Sequence, residues 1–437
     1  MTRIYRKNIS PLYHTSLMKT VRKICFFALF SIAGIIGLFL LITGWFYITC
    51  PVYIFEEPKP FSGHKFYNPY QNVIDEAWMK CVFHLHTKSW MGLSNGENTS
   101  GEVMDVYRLL NYDVVAISDY MTVNRDMSNN HLHIPVYEHG YNIKKVHQLA
   151  LGAQKVIWRD YIFKQNLHQK QHIIDLLKQN SFRVAVNHPS MRSSYPPNDF
   201  YYLAGYDLFE VQNGTHISET AWDAALSSGH PVWLIANDDA HTVNNPARVQ
   251  REVTYVNAPA LVNEIFTHSV DSRSLSRNGL SEESVEILDR LTQGVAFGVH
   301  FPYKKLSTIE EKLHDAEIIS FPVIIQVYED TLKVVWQQIM QKIECIGDNG
   351  KVLKTVTGSN TACYPICAED TYIRVRLTSP EDIVYYLNPI VRCSDDGFVI
   401  QSSNPVNKHK TFRKRAISVF IFGTFVIIFA VLYKRLA

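Results

Sequence analysis

Hydrophobic and polar positions are arranged in three different ways along this chain. At each end lies one uninterrupted apolar run. No charged residue occurs over 24–55 or over 416–433. At about 1.5 Å per residue, 24–48 crosses a hydrocarbon layer of about 30 Å with room for tilt, and 416–433 just reaches across it. Trp45, Phe46 and Tyr47 stand at the far end of the first run, where interfacial aromatics belong. A cleaved signal peptide and a buried domain helix are the competing readings of the two runs. Thr49-Cys50-Pro51 is a poor cleavage site, and 416–433 has no polar face, so two membrane helices are expected.

Between them the pattern changes twice. Residues 49–78 are rich in Pro, Tyr and Asn and read as a linker. Over 79–303, short apolar or β-branched runs (82–86, 114–119, 135–138, 183–188, 208–212, 232–238) alternate with helical patterns (101–111, 168–180, 218–227). Buried parallel strands alternating with helices predict an α/β domain. Over 304–402 the period becomes two, in 323–327, 332–336, 342–345, 372–377 and 383–387, with Asp348-Asn349-Gly350 as a hairpin turn. That texture predicts a small all-β sandwich. A basic juxtamembrane segment, 403–415, leads into the last apolar run. No internal repeat of fixed period is visible.

Composition narrows the class. The chain has 437 residues, 46% hydrophobic and 19% charged, which excludes a collagen-like or wholly disordered protein. Two apolar runs exclude a many-spanning transporter. The net charge of +2, from 43 Lys+Arg and 41 Asp+Glu, leaves no nucleic-acid footprint, so no nucleic-acid partner is expected. Where the charge sits matters more. Arg3, Arg6, Lys7, Lys19, Arg22 and Lys23 precede the first span without an acid. They place the tail 1–23 in the cytoplasm, the middle region on the exported side and the C-terminus back in the cytoplasm. Lys408, Lys410, Arg413, Lys414 and Arg415 pull the second span the other way, and the first span is given precedence. Cys345, Cys363, Cys367 and Cys393 cluster late and allow three pairings among which the sequence does not choose. No zinc-finger spacing occurs, so a structural zinc is not expected.

The α/β region carries the chemistry. Nearly every strand ends in a metal-ligand residue type: His84-Leu85-His86, then Ser118-Asp119, then Glu138 with His147 beyond it, then His188-Pro189, then Glu210, then Asp238-Asp239-Ala240-His241. Strand side chains repeat every two residues, so His84 and His86 face one space, as do Asp239 and His241. Ligand types at successive carboxyl ends converge on one mouth of a barrel. Imidazoles and carboxylates without thiolate suit zinc, manganese or iron. A shared carboxylate suits two adjacent ions.

In order and spacing, Phe83-His84-Leu85-His86-Thr87, Val115-Ala116-Ile117-Ser118-Asp119, Val136-Tyr137-Glu138, Val186-Asn187-His188-Pro189 and Asp238-Asp239-Ala240-His241 resemble the PHP (polymerase and histidinol phosphatase) superfamily over about residues 80–300. Glu210-Val211-Gln212-Asn213 fits the same pattern. The stretch 288–298, with Leu291-Thr292-Gln293-Gly294, looks like that family's closing helix and turn. The region ending in Leu387-Asn388-Pro389-Ile390 resembles the β-domain of the branch containing carbamate hydrolases. The resemblance implies a distorted seven-stranded β/α barrel followed by the sandwich and binding divalent ions. Carried over by position, His84, His86, Glu138 and Asp239 hold one ion, Glu138 bridges, and His147 and His188 complete the second. His147 is identified by its spacing after Glu138. His241 is a third-ion ligand or a proton donor, and Asp119 is the other residue expected to act in catalysis. Two departures stand out: Tyr120 follows Asp119 where the family has His, and Asn95-Gly96 stands where it has an acid or His. Both positions serve a third ion, so two ions are expected.

Lys88, Arg192 and Arg248 follow ligand strands and are candidate grips for a substrate anion; Arg125 is a fourth. Glu210 either orients a histidine or caps a strand. His131-Leu132-His133 is read as a surface loop or substrate contact. Asn98-Thr99-Ser100 and Asn213-Gly214-Thr215 match glycosylation sequons. The expected function is a membrane-anchored hydrolase using manganese, zinc or iron on a small-molecule ester. A phosphoesterase leads. Carbamate, amide or carboxylic-ester hydrolysis and a metal-binding protein without turnover are the rivals.

Overall fold

A computed structural model describes residues 11–126, 132–214, 216–261, 280–302 and 304–436. The chain divides into two compact units, 51–408 and the paired ends 1–50 with 409–437. In the second of these, one α-helix spans Pro11–Thr49 and another spans Lys408–Leu436. The part of the first over Val21–Thr49 is apolar and long enough to cross a membrane. The last carbonyls of a helix have no partner within it. Here Arg415 Nη2 donates to Thr49 O at 2.7 Å and Lys414 Nζ to Cys50 O at 3.0 Å, cations where the helix dipole favours them.

The unit 51–408 is mixed α/β, and its strands form two sheets. In chain order the first strands are β1 (Lys65–Tyr67), β2 (Trp78–Val82), β3 (Val114–Val115), β4 (Val136–His139), β5 (Gln148–Leu151), β6 (Arg183–Val186), β7 (Leu208–Asn213), β8 (His216–Ile217) and β9 (Trp233–Asn237). They continue as β10 (Glu252–Asn257), β11 (Ala296–His300), β12 (Pro322–Tyr328), β13 (Thr331–Gly347), β14 (Lys351–Pro365), β15 (Tyr372–Thr378), β16 (Val384–Leu387) and β17 (Ile390–Cys393). One sheet runs β4-β5-β6-β7-β8, with β9 on β7; the other contains the remaining strands. Two parallel bridges, Leu85 with Ala240 and Tyr120 with Glu138, join strand ends of the two sheets.

The expected helices form at Ser100–Leu109, Leu167–Lys178 and Glu219–Ser227. The first two begin with reciprocal capping boxes, Thr99 with Glu102 and Asn166 with Gln169, which satisfy orphan amides at each start. Strand β2 alternates its burial: Met79, Cys81 and Phe83 pack into one apolar core and Val82 into the other. Parallel ladders join β2 to β3, β6 to β7 and β7 to β9, but the pattern is not wholly parallel. Strand β5 is an additional strand, antiparallel to both β4 and β6. Its Leu149-Ala150-Leu151 run is too short to stand out beside the longer apolar runs.

The β-region after residue 304 also differs from a self-contained sandwich. Strand β16 pairs with β11, and β11 with β10, so these strands extend the sheet that holds β2 and β3. The runs 332–336 and 342–345 are one strand, β13, with a break in register between Val335 and Met340. The turn at Asp348-Asn349-Gly350 joins β13 to β14, with Asn349 at φ 55° and Gly350 at φ 75°. Residues 288–298 hold the end of a helix, Glu282–Thr292, and the start of β11. All seven cysteines are free thiols, so none of the three pairings forms.

Candidate metal centre

The ends of β2, β4, β6 and β9 and the start of β5 bring six side chains to one place. Glu138, His84, His86, His147 and His188 are buried and Asp239 nearly so. Glu138 faces them with both oxygens. Its Oε2 lies 3.1 Å from His86 Nε2 and 3.4 Å from His84 Nε2. Its Oε1 lies 2.6 Å from His147 Nδ1 and 3.0 Å from His188 Nε2. Asp239 Oδ1 closes the first set, 3.3 Å from His84 Nε2 and 3.1 Å from His86 Nε2. Four overlapping ligand groups result: His84-His86-Glu138, His84-His188-Asp239, His86-Asp239-His241 and Glu138-His147-His188, each with its ligand atoms within 4.8 Å of one another.

Backbone and neighbouring groups hold this arrangement. His188 (φ 27°) and Asp239 (φ 49°) lie at positive φ, a strained setting that persists only where surroundings impose it. Glu210 Oε1 meets His84 Nδ1 at 2.8 Å and accepts from Asn237 Nδ2 at 2.9 Å; its Oε2 accepts from the His188 amide and from Asn213 Nδ2, both at 2.9 Å. With Nδ1 bound, His84 presents Nε2 to the cluster. Of the two readings of Glu210, the orienting role is the one its contacts support. Asp238 does different work from Asp239: it accepts from Tyr107 Oη and from the amides of Gln250, Arg251 and Glu252, anchoring the turn.

Burial and opposite charge compete at these side chains. Burial opposes ionisation of Glu138, yet His147 and His84 hold it well below the carboxylate range. Asp239 is likewise buried and likewise held down, by His84 and His86. Burial pushes His84 down, but Asp239, Glu210 and Glu138 outweigh it and raise the imidazole. Among the described residues, buried polar atoms without a hydrogen-bond partner include Glu138 Oε2 and Asp239 Oδ1, both turned towards the His84 and His86 rings. Each unsatisfied buried group costs about 1–3 kcal/mol, and two carboxylate oxygens among imidazole nitrogens are a donor set that fits divalent ions.

The other expected residues fall around this centre. His241 stacks on His86 at 4.4 Å between centroids, and burial, then His86, push it down to about 4. Asp119 does not join the ligands; it accepts from Thr87 N and Oγ1 at 2.7 Å and from Asn124 at 3.1 Å. Tyr120 lies flat on His86, 4.2 Å between centroids and 18° between planes. Asn95 reaches His241 Nε2 at 3.4 Å. Lys88, Arg192 and Arg248 are exposed, and Arg192 Nη1 donates to Ile143 O at 3.2 Å. Lys88 and Arg125 line a cleft of about 480 Å³ with Thr87, Asp119 and Asn124, but no residue of the four ligand groups lines it. His131 and Thr215 lie outside the described residues; His133 is partly buried, and its carbonyl accepts from Ser284 Oγ. Two contributors have no sequence signal of their own kind: Asn237, whose Nδ2 donates to Glu210, and Gly140, where a Cβ would meet the His147 ring. Their nearness to Asp239 and Glu138 in the chain was the available hint.

No protein-family model and no curated protein matches this chain.

Proposed function

We propose that this protein is a membrane-anchored, metal-dependent hydrolase of the PHP type, acting as a phosphoesterase with two divalent ions. The observation that carries the reading is Glu138, which turns one carboxylate oxygen to His84 and His86 and the other to His147 and His188. A carboxylate so placed would be shared between two cations held by these histidines. The strand pairings support the barrel: β2, β3, β4, β5, β6, β7 and β9 can be followed in a ring through ladders and the two bridges at Leu85 and Tyr120. In this reading the ligands sit at its carboxyl mouth, as in other β/α barrels.

Bound here, divalent ions supply a water acidified to a pKa of about 7 and a Lewis acid for the ester oxygen. The chain's own residues do the positioning. Glu210 fixes the tautomer and angle of His84, Asn213 steadies Asp239 Oδ2 at 3.2 Å, and Gly140 makes room for His147. Of its two expected roles, the ligand role is the one its geometry supports: His241 shares a ligand group with His86 and Asp239, its Nε2 3.6 Å from Asp239 Oδ1. Tyr120 keeps its proton, since burial and then the charges of Glu138 and Asp239 raise its pKa.

The membrane part of the proposal is an anchor at each end, with both termini cytoplasmic and the hydrolase exported. The apolar helix Val21–Thr49 supports the first anchor. The helix Lys408–Leu436 supplies the length for the second. The deciding experiment combines elemental analysis of the purified full chain after reconstitution with manganese and assays on phosphate and carboxylic esters. About two ions per chain and phosphate-ester turnover are expected. Failure to retain stoichiometric metal overturns the reading, and turnover of carboxylic esters alone transfers it to the rival substrate class.

A further inference from the structure

The loop between β4 and β5 carries a cation that the cluster's own chemistry does not use. Lys145 stands two residues before His147. Its turn is locked: Asn142 Oδ1 accepts from Val146 N at 2.8 Å, Asn142 Nδ2 donates to Val146 O at 2.9 Å, and Lys145 N donates to Asn142 O at 3.2 Å. Buried Asn142 is itself held by Asp160 Oδ2 at 3.1 Å. Lys145 has φ 59°, a left-handed setting that a lysine adopts only where its neighbours impose it. The turn thus fixes the backbone from which the side chain departs.

The direction in which it is aimed is informative. Lys145 Nζ lies 5.1 Å from the centroid of the Tyr120 ring. That ring stacks on His86 and meets His147 edge-on at 5.7 Å. The ammonium therefore sits above the aromatic wall of the ligand cluster, where its charge also acts on His147. Among the described residues no carboxylate lies within 4 Å of it, in contrast to Lys170 and Lys178, which are paired. An ammonium has three donors, and a π face takes none of them as a full hydrogen bond. Those donors remain for an anion arriving at the cluster.

We propose that Lys145, seated on the Tyr120 ring, receives the anionic group of the substrate, which makes the substrate an anionic ester such as a phosphate ester. The proposal rests on the hydrolase reading and deepens it. It adds a cation to those expected from strand order, Lys88, Arg192 and Arg248.

The test uses the detergent-purified full chain loaded with manganese, inorganic phosphate as the probe and equilibrium dialysis as the readout, with metal content measured in parallel. Lys145→Gln should keep its metal and bind phosphate at least about 10-fold more weakly, the loss of one charge-assisted contact. Lys145→Arg should stay within about 3-fold, because the charge is kept. Lys144→Gln, the exposed neighbour, should stay within about 2-fold. The proposal is overturned if Lys145→Gln binds phosphate like the parent, if Lys144→Gln loses as much, or if the metal-loaded parent binds no phosphate. A parent that retains no metal overturns the hydrolase reading and the lysine assignment with it. A metal-loaded parent whose phosphate affinity ignores Lys145 overturns the lysine assignment alone.

Discussion

Gly140 and His147 meet just beyond the β4–β5 ladder, so closely that a Cβ on residue 140 would stand 2.4 Å from His147 Cδ2 and 3.2 Å from its Nε2. Gly140 also has φ +130°, outside the range of an ordinary side chain. Gly140→Ala should therefore displace His147 from Glu138. Metal content is expected to fall from about two ions towards one, with a stability loss on the order of 1–3 kcal/mol. Elemental analysis together with thermal unfolding checks both; full metal content in this variant would place His147 outside the ligand set.

Glu138→Gln should leave the fold in place and lower phosphate-ester turnover by at least about 100-fold. A neutral amide keeps the shape but removes the charge shared between two cations. Its oxygen and nitrogen also cannot both act as acceptors toward His84, His86, His147 and His188. Turnover at the parental rate would show that Glu138 is not shared.

Glu210→Gln tests orientation without touching the ligands. Loss of the anionic partner frees the His84 ring to choose its other tautomer, and metal affinity should fall by about 10–100-fold. A metal titration of parent and variant reads this directly; equal affinities would return Glu210 to a purely structural part.

Glu252 makes folding sensitive to pH. Burial raises its carboxyl to about 7, and the His300 contact at 2.7 Å only partly opposes that. A raised folded pKa contributes stability that is fully present below the unfolded value of about 4.5 and is lost as pH rises through 7. The parent should lose on the order of 3 kcal/mol relative to Glu252→Gln between pH 4.5 and 8. Thermal midpoints of both proteins across that range check the sign: the difference must move against the parent as pH rises.

Much of the centre is readable in the chain because strand geometry is local. His84 and His86 lie two apart at the end of an apolar run, and a period of two is enough to put them on one side. Asp239 and His241 also meet, but at a left-handed turn past the end of β9 rather than by strand alternation. Helix starts were equally local, since Thr99 with Glu102 needs only four consecutive residues. What the sequence by itself determined, then, is the set of ligand types, the helices at 100–109, 167–178 and 219–227 and the apolar run at the N-terminal end. The tertiary structure decided the rest, because it depends on groups far apart in the chain. Glu210 reaches His84 across 126 positions, and no local pattern distinguishes an orienting carboxylate from a strand cap. Strand β5 and the pairing of β16 with β11 follow from long-range ladders rather than from short apolar runs. Asp119 turned to Thr87 and Lys145 settled over Tyr120 for the same reason: a side chain's partner is fixed by which loops the folded strands bring together, and that closeness is absent from the order of residues.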